Sequence, residues 1–257
     1  MYADLPIPAI FAHRGSSAYA PENTIAAFKL AVQQNADGIE LDAKLSADEQ
    51  VVVIHDQTID RTTNGEGVVK DLPLHVLKQV DAGSKCDRFF CNERIPTLNE
   101  VFETVGRVTF INVELTNYAS TRDSLPAKVA DIVKHHHLQD RVLFSSFNPF
   151  ALRKINRLLP EVPIGLLTMP GMIGAWAGSL IRRWVPYTAL HLAIRDTKES
   201  LIKSCHKHKN RVYTYTANHT EVMLRLFKYG VDGIFTDDPP LARRALLTFK
   251  RQFSKSQ

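Results

Sequence analysis

The sequence predicts an α/β fold, a single (β/α)8 TIM barrel with a small insertion after the second strand. Three observations predict it. The chain has 257 residues and 44% hydrophobic content, enough for one sizeable core, and a barrel of this kind takes about 250 residues. Short apolar runs rich in β-branched residues alternate with helix-period stretches along most of the length. Taken in order they make eight strand–helix units, the number that closes a parallel barrel. An open doubly wound sheet is the alternative, but the chain has neither GxGxxG nor a P-loop motif, which weakens its nucleotide-binding form.

Residues 7–12 read as a buried first strand running straight into His13, Arg14 and Gly15. The first helix begins at Asn23 or Thr24, either of which can cap free backbone N–H groups; Ile25, Phe28 and Val32 then recur on one side. Residues 37–43 are the second strand, with Ile39 and Leu41 on one face and Glu40 and Asp42 on the other. The β-branched run 50–54 ends in His55-Asp56 and counts as an extension of that strand. From 57 to 95 the period is lost among Asn64-Gly65, Glu66-Gly67, Pro73 and Gly83, with one short helix near 73–80. That length exceeds a plain loop and predicts an insertion subdomain or lid within a single domain of residues 1–257.

Alternation resumes with Thr97 and Glu100, spaced as a capping box. Strands are expected at 109–115, 141–145, 162–167, 187–190, 212–216 and 232–235. Helices are expected at 124–137, 149–158, 197–207, 220–229 and 240–250, with a Gly-rich helical turn running to Arg183. Gly230 is placed to stop the helix before it.

In a closed parallel barrel the C-terminal strand ends share one face, and that face carries the site. His13, Glu40, Asp42, His55 and Glu114 all fall at such ends. Two histidines suit proton transfer near neutral pH. Two acids on one face of an apolar strand repel each other and lose hydration, and a bound cation relieves both costs. With Glu114 the set is oxygen-rich and free of cysteine, which favours Mg²⁺ or Ca²⁺ over zinc. Arg14 offers a planar fork to a phosphate oxygen, or else a structural ion pair. The constellation points to metal-assisted phosphate chemistry.

Other features read more plainly. His135-His136-His137 looks like a metal box, but neighbouring helical residues point about 100° apart and cannot converge. Cys205-His206-Lys207-His208 is likewise a polar helix end. The net charge of +5 is spread out, densest from Arg243-Arg244 to Lys255. Without a basic stripe interleaved with aromatics, it predicts a general attraction for anions and no nucleic-acid partner. Three cysteines without a CxxC pair argue against a disulfide framework. Together with the lack of a signal peptide in residues 1–8, they predict a cytoplasmic location. The apolar stretch 164–181 is broken by Pro170 and four glycines, a poor membrane span. Residues 169–184 read either as core packing or as an apolar rim in weak contact with a lipid surface.

Several motifs together resemble the glycerophosphodiester phosphodiesterase family, nearly end to end. They are AHRG at 12–15, PENT at 21–24, GIELDAKLSAD at 38–48, VVIHD at 52–56, DRTTNGEG at 60–67, IPTLNEVF at 95–102, NVEL at 112–115 and VDGIFTDDP at 231–239. The resemblance implies a TIM barrel and hydrolysis of a glycerophosphodiester to sn-glycerol 3-phosphate and an alcohol with one divalent cation. It implies His13 and His55 as the acid/base pair, Glu40, Asp42 and Glu114 as metal ligands, and Arg14 as a phosphate contact. Phe147 and Tyr215 are implied as substrate-binding residues. Two departures stand out. The lysine usual two residues after the third ligand is Thr116 here, kept as a candidate substrate contact. Tyr215 stands where the family often has a tryptophan. The same barrel chemistry could serve a phospholipase D-like reaction on lysophospholipid or sphingomyelin. A non-catalytic binder of phosphate or lipid headgroups is the reading from another class, supported by Thr116 alone.

Overall fold

The computed structural model describes residues 2–118, 120, 122–171 and 184–253. β1 (Ala9–Ala12) pairs in parallel with β2 (Gly38–Leu45) along one edge and with β9 (Gly233–Thr236) along the other, so the sheet closes on itself. Between them run β4 (Phe110–Leu115), β5 (Val142–Ser146), β6 (Ile164–Leu167), β7 (Ala189–Ala193) and β8 (Arg211–Tyr215), each parallel to the next. This is the (β/α)8 TIM barrel that the alternation predicts.

Alternation of side chains along each strand divides the core in two. Phe11, Phe110, Leu143, Tyr213 and Phe235 point inward and plug the barrel with Leu5, Ala9 and Ala189. The Phe11 ring lies 5.2 Å from Phe235, 5.5 Å from Tyr213 and 6.2 Å from Phe110. Such contacts add about 0.5–1.5 kcal/mol each beyond the area they bury. Ile10, Ile39, Leu41, Val113 and Phe144 point outward and join the shell packed under the helices.

The helices start where the sequence provides caps. Thr24 caps α1 (Ile25–Gln33), its Oγ1 accepting from the Ala27 amide at 3.3 Å. The Thr97–Glu100 capping box opens α3 (Leu98–Val105), after the short α2 (Leu74–Leu77). α4 (Leu125–His135), α5 (Pro149–Leu158), α6 (Glu199–Lys207), α7 (Thr220–Tyr229) and α8 (Pro239–Phe253) follow close to their expected positions. Among the described residues no helix is long and apolar enough to cross a membrane. The helical turn expected up to Arg183, and the larger part of the 169–184 rim, lie outside the described residues.

Two strand expectations are corrected. Residues 50–54 do not extend β2. They form β3 (Val51–Val53), which turns back antiparallel to β2 with Ala43 opposite Val53 and Leu45 opposite Val51. β4 occupies the other edge of β2 as far as Ala43, so β3 takes the edge that β1 leaves open above Ile39. A second strand here needs only a tight turn and free backbone groups, both of which residues 45–51 supply. The strand expected at 187–190 lies instead at Ala189–Ala193, which brings His191 into the barrel wall. The 57–95 segment packs Ile59, Val69, Leu77, Ala82 and Ile95 against Val52 and Ile54, a small apolar cluster of its own beside β3.

Candidate active site

The loop after β1 is built for close approach. Arg14 and Gly15 both take positive φ, and a Cβ on Gly15 would meet the Ala27 backbone at 2.7 Å. Only glycine fits a left-handed turn pressed so tightly against α1. The turn delivers the Arg14 amide to Glu40 Oε2 at 2.9 Å and the Arg14 side chain to Glu22 at 2.8 Å. The PENT segment divides its work in the same region. Glu22 binds the guanidinium groups of Arg14 and Arg61, Asn23 Nδ2 donates to Asp42 Oδ2 at 2.8 Å, and Thr24 caps α1.

Three carboxylates converge beside this loop. Glu40 and Asp42 share the inward face of β2, and Glu114 stands opposite Asp42 in the β2–β4 register. One oxygen from each lies within 4.8 Å of the others. Burial, then repulsion from Asp42 and Glu114, holds the Glu40 carboxyl well above the usual range. Burial and Asp42 likewise push Glu114 up to about 8, against an opposing hydrogen bond from Tyr118. Arg14 Nε lies 3.4 Å from Asp42, an ion contact that offsets only part of the negative charge. A compact, all-oxygen set with this surplus of negative charge fits a hard divalent cation.

The two histidines are held alike. His13 follows β1, its amide bonded to the Thr236 carbonyl at 2.8 Å, and its Nδ1 meets Asp237 Oδ1 at 2.7 Å. His55 follows β3, and its Nδ1 meets Asp56 Oδ1 at 2.7 Å. Arg61 and His55 hold Asp56 down at about 2, despite some burial. Asp237 is half-buried, which opposes ionisation, yet bonds from His13, Asn218 and Ser17 keep it below the ordinary range. Both partners are therefore ionised and can only accept, so each histidine carries a proton on Nδ1 and keeps Nε2 for exchange.

His13, Arg14, Glu40, Asp42, His55, Glu114, Phe147 and Tyr215 all line one cavity of about 260 Å³. Tyr118, Phe147 and Tyr215 form an aromatic wall, with Phe147 centred 5.5 Å from Tyr118 and 6.2 Å from Tyr215. The Tyr215 hydroxyl donates to the Thr168 carbonyl at 2.7 Å. Thr116 is placed differently from expectation. It is buried outside the cavity lining, and its hydroxyl donates to the Ala43 carbonyl and accepts from Lys44 Nζ at 2.9 Å. β2 and β4 run side by side, so Lys44 reaches across to Thr116 just above the Asp42–Glu114 pair.

Sequence reasoning missed Asp237, Asn218, Arg61, Lys44, Tyr118 and His191. The VDGIFTDDP motif contained Asp237, and alternation from Ala189 would have turned His191 inward. The helix-end histidines stay apart from the site: His136 bonds Asn99 at 2.9 Å, and His206 bonds Asp232 at 2.7 Å.

Polar groups converging on one cavity at the C-terminal ends of parallel barrel strands place the protein among the barrel enzymes. Its branch of that class follows from likeness to known proteins. The chain belongs to the glycerophosphoryl diester phosphodiesterase family, whose model matches residues 13–241. It is 44% identical to a glycerophosphodiester phosphodiesterase of Caldanaerobacter subterraneus subsp. tengcongensis, over 90% of this chain and 94% of the relative. A solved phosphodiesterase from Oleispira antarctica, in complex with the product sn-glycerol-3-phosphate, superposes with a TM-score of 0.88 at 34% identity, covering 93% of this chain and 97% of that one. A glycerophosphodiester phosphodiesterase from Agrobacterium tumefaciens str. C58 superposes at 0.77 with 29% identity, covering 92% and 99%.

Proposed function

We propose that the protein hydrolyses soluble glycerophosphodiesters to sn-glycerol 3-phosphate and an alcohol by two-histidine acid/base catalysis with one divalent cation, Mg²⁺ or Ca²⁺. The observation that carries this reading is the pair of histidines, each fixed through Nδ1 on a carboxylate, opening on the same cavity as three clustered acids. Glu40, Asp42 and Glu114 would hold the cation, which when bound supplies positive charge to the phosphate oxygens.

Arg14 offers a further positive group to the phosphate, and the aromatic wall excludes water from one side of the diester. One histidine removes a proton through Nε2 from the glycerol hydroxyl next to the phosphate. That oxygen attacks phosphorus, and the second histidine gives its Nε2 proton to the departing alcohol. Water then opens the cyclic phosphate with the two roles reversed. Direct attack by water is the competing route, and a search for the cyclic product separates them. Release of glycerol 3-phosphate from glycerophosphocholine, with Mg²⁺ or Ca²⁺ and then with EDTA, tests the reaction itself. Metal-dependent release is the expected result; folded protein that releases none with either cation sinks the proposal.

Lys44, which like Thr116 stands outside the cavity lining, supplies from behind the acid cluster the charge that Thr116 lacks. Its ammonium is partly buried, bonded to Thr116 and within electrostatic reach of Asp42, Glu114 and Asp56. Thr116 thus acts by holding Lys44 rather than by touching substrate. Lys44→Met is expected to lower kcat/KM by about 10–100-fold, the scale of one charged hydrogen bond. The exchange of the two side chains, Lys44→Thr with Thr116→Lys, should recover most of that loss. Failure of the exchange in a folded protein would show that the cation's strand of origin matters and that the two positions are not equivalent.

A further inference from the structure

The closed end of the cavity holds polar atoms that no step above uses. His191 on β7 is fully buried, and neither of its ring nitrogens has a hydrogen-bond partner. Its ring is wedged 5.3 Å from Tyr213 and 5.1 Å from Phe235. Gly165 on β6 leaves the space it fills, since a Cβ there would lie 2.4 Å from Nε2. Burial drives the imidazole down to about 3, so it is neutral, with one N–H donor and one bare nitrogen acceptor. Asn112 lines the same cavity. Its Nδ2 donates to Ser145 at 2.9 Å, while its Oδ1 is buried without a partner.

A leucine or methionine in place of this ring would fill the barrel without leaving buried nitrogens unpaired. The position is costly unless something complementary comes to it. The approaching group must be neutral, because among the described residues no charge acts on His191 that would balance an ion. It must also donate and accept at once, as a hydroxyl does.

We infer that His191 and the free Oδ1 of Asn112 form a hydroxyl-binding subsite that reads the terminal hydroxyl of the substrate's glycerol arm. The inference rests on the proposed reaction and names the residues that select a polyol at that site. The hydroxyl beside the phosphate serves the chemistry, and the terminal one reaches the barrel floor. Ordered water is the other possible source of the same hydrogen bonds, and the substrate series below separates the two.

The test compares glycerophosphocholine with propane-1,2-diol phosphocholine, which keeps the hydroxyl beside the phosphate and lacks the terminal one. Wild-type protein is expected to favour the first by about 10–100-fold in kcat/KM, since the analogue leaves the buried groups unpaired. His191→Leu should erase most of that preference. His191→Asn, which keeps a donor and an acceptor, should retain part of it. A merely structural histidine would change both substrates equally in either variant, and that result overturns the inference. Wild type that ignores the terminal hydroxyl overturns it without any variant, and leaves water as the occupant. Wild type inactive on both diesters removes the proposed reaction and this inference with it.

Discussion

His13→Ala is expected to lower kcat on glycerophosphocholine by about 10²–10⁴-fold, the range for loss of one acid/base group. His55→Ala should do the same. Their combination should cost little more than either alone, because each histidine is useful only while the other works. The carboxylate partners sharpen the test. Asp237→Asn and Asp56→Asn would leave both rings in place but let Nδ1 accept instead of donate, moving the proton to Nε2. Each should therefore lower kcat and remove one limb of the pH–rate profile. Steady-state kinetics across pH decides the matter. A histidine whose removal leaves kcat near wild type takes no part in proton transfer.

Addition of Mg²⁺ or Ca²⁺ is expected to raise the melting temperature, and more so at about pH 8 than at about pH 5. The sign follows from the acid cluster. Glu114 is pushed up to about 8 and Glu40 is also raised, from an ordinary value of 4.5. Below the ordinary value both folded and unfolded chains hold these protons, and no penalty exists. As pH rises the unfolded chain releases them first, so the metal-free fold loses stability, fully so once the folded groups have ionised. A cation that binds the ionised cluster reverses this loss. At about 100 times its dissociation constant it contributes about 2.7 kcal/mol, worth about 5–11 °C for a chain of this size. Glu40→Gln should raise the metal-free melting temperature at pH 8 and shrink the metal-dependent rise. Calorimetry with and without EDTA measures both. An equal rise in wild type and variant would remove Glu40 from the ligand set.

The periodicity of the sequence determined the barrel and much of its site. Eight alternating units left closure as the economical way to bury every strand. Period-two alternation put Glu40 and Asp42 on one face, and strand ends placed His13, His55 and Glu114 nearby. Local chemistry also determined the caps at Thr24 and Thr97. Such features are legible because each depends on neighbours a few residues away.

Only the tertiary structure decided which partners each of these residues meets. Asp237 reaches His13 across 224 positions, because β9 and β1 are neighbours only once the barrel closes. The antiparallel return of β3 carries His55 over the open edge of β2, a choice that an apolar run cannot announce. Lys44 meets Thr116 across 72 positions because β2 and β4 pair in register. His191 belongs to the cavity only because β7 extends past Leu190 and turns the ring inward. Short-range patterns record what each segment buries, whereas hydrogen bonds between strand ends depend on register, edge and closure. Those are properties of the whole barrel, and they turn five polar strand tips into one site.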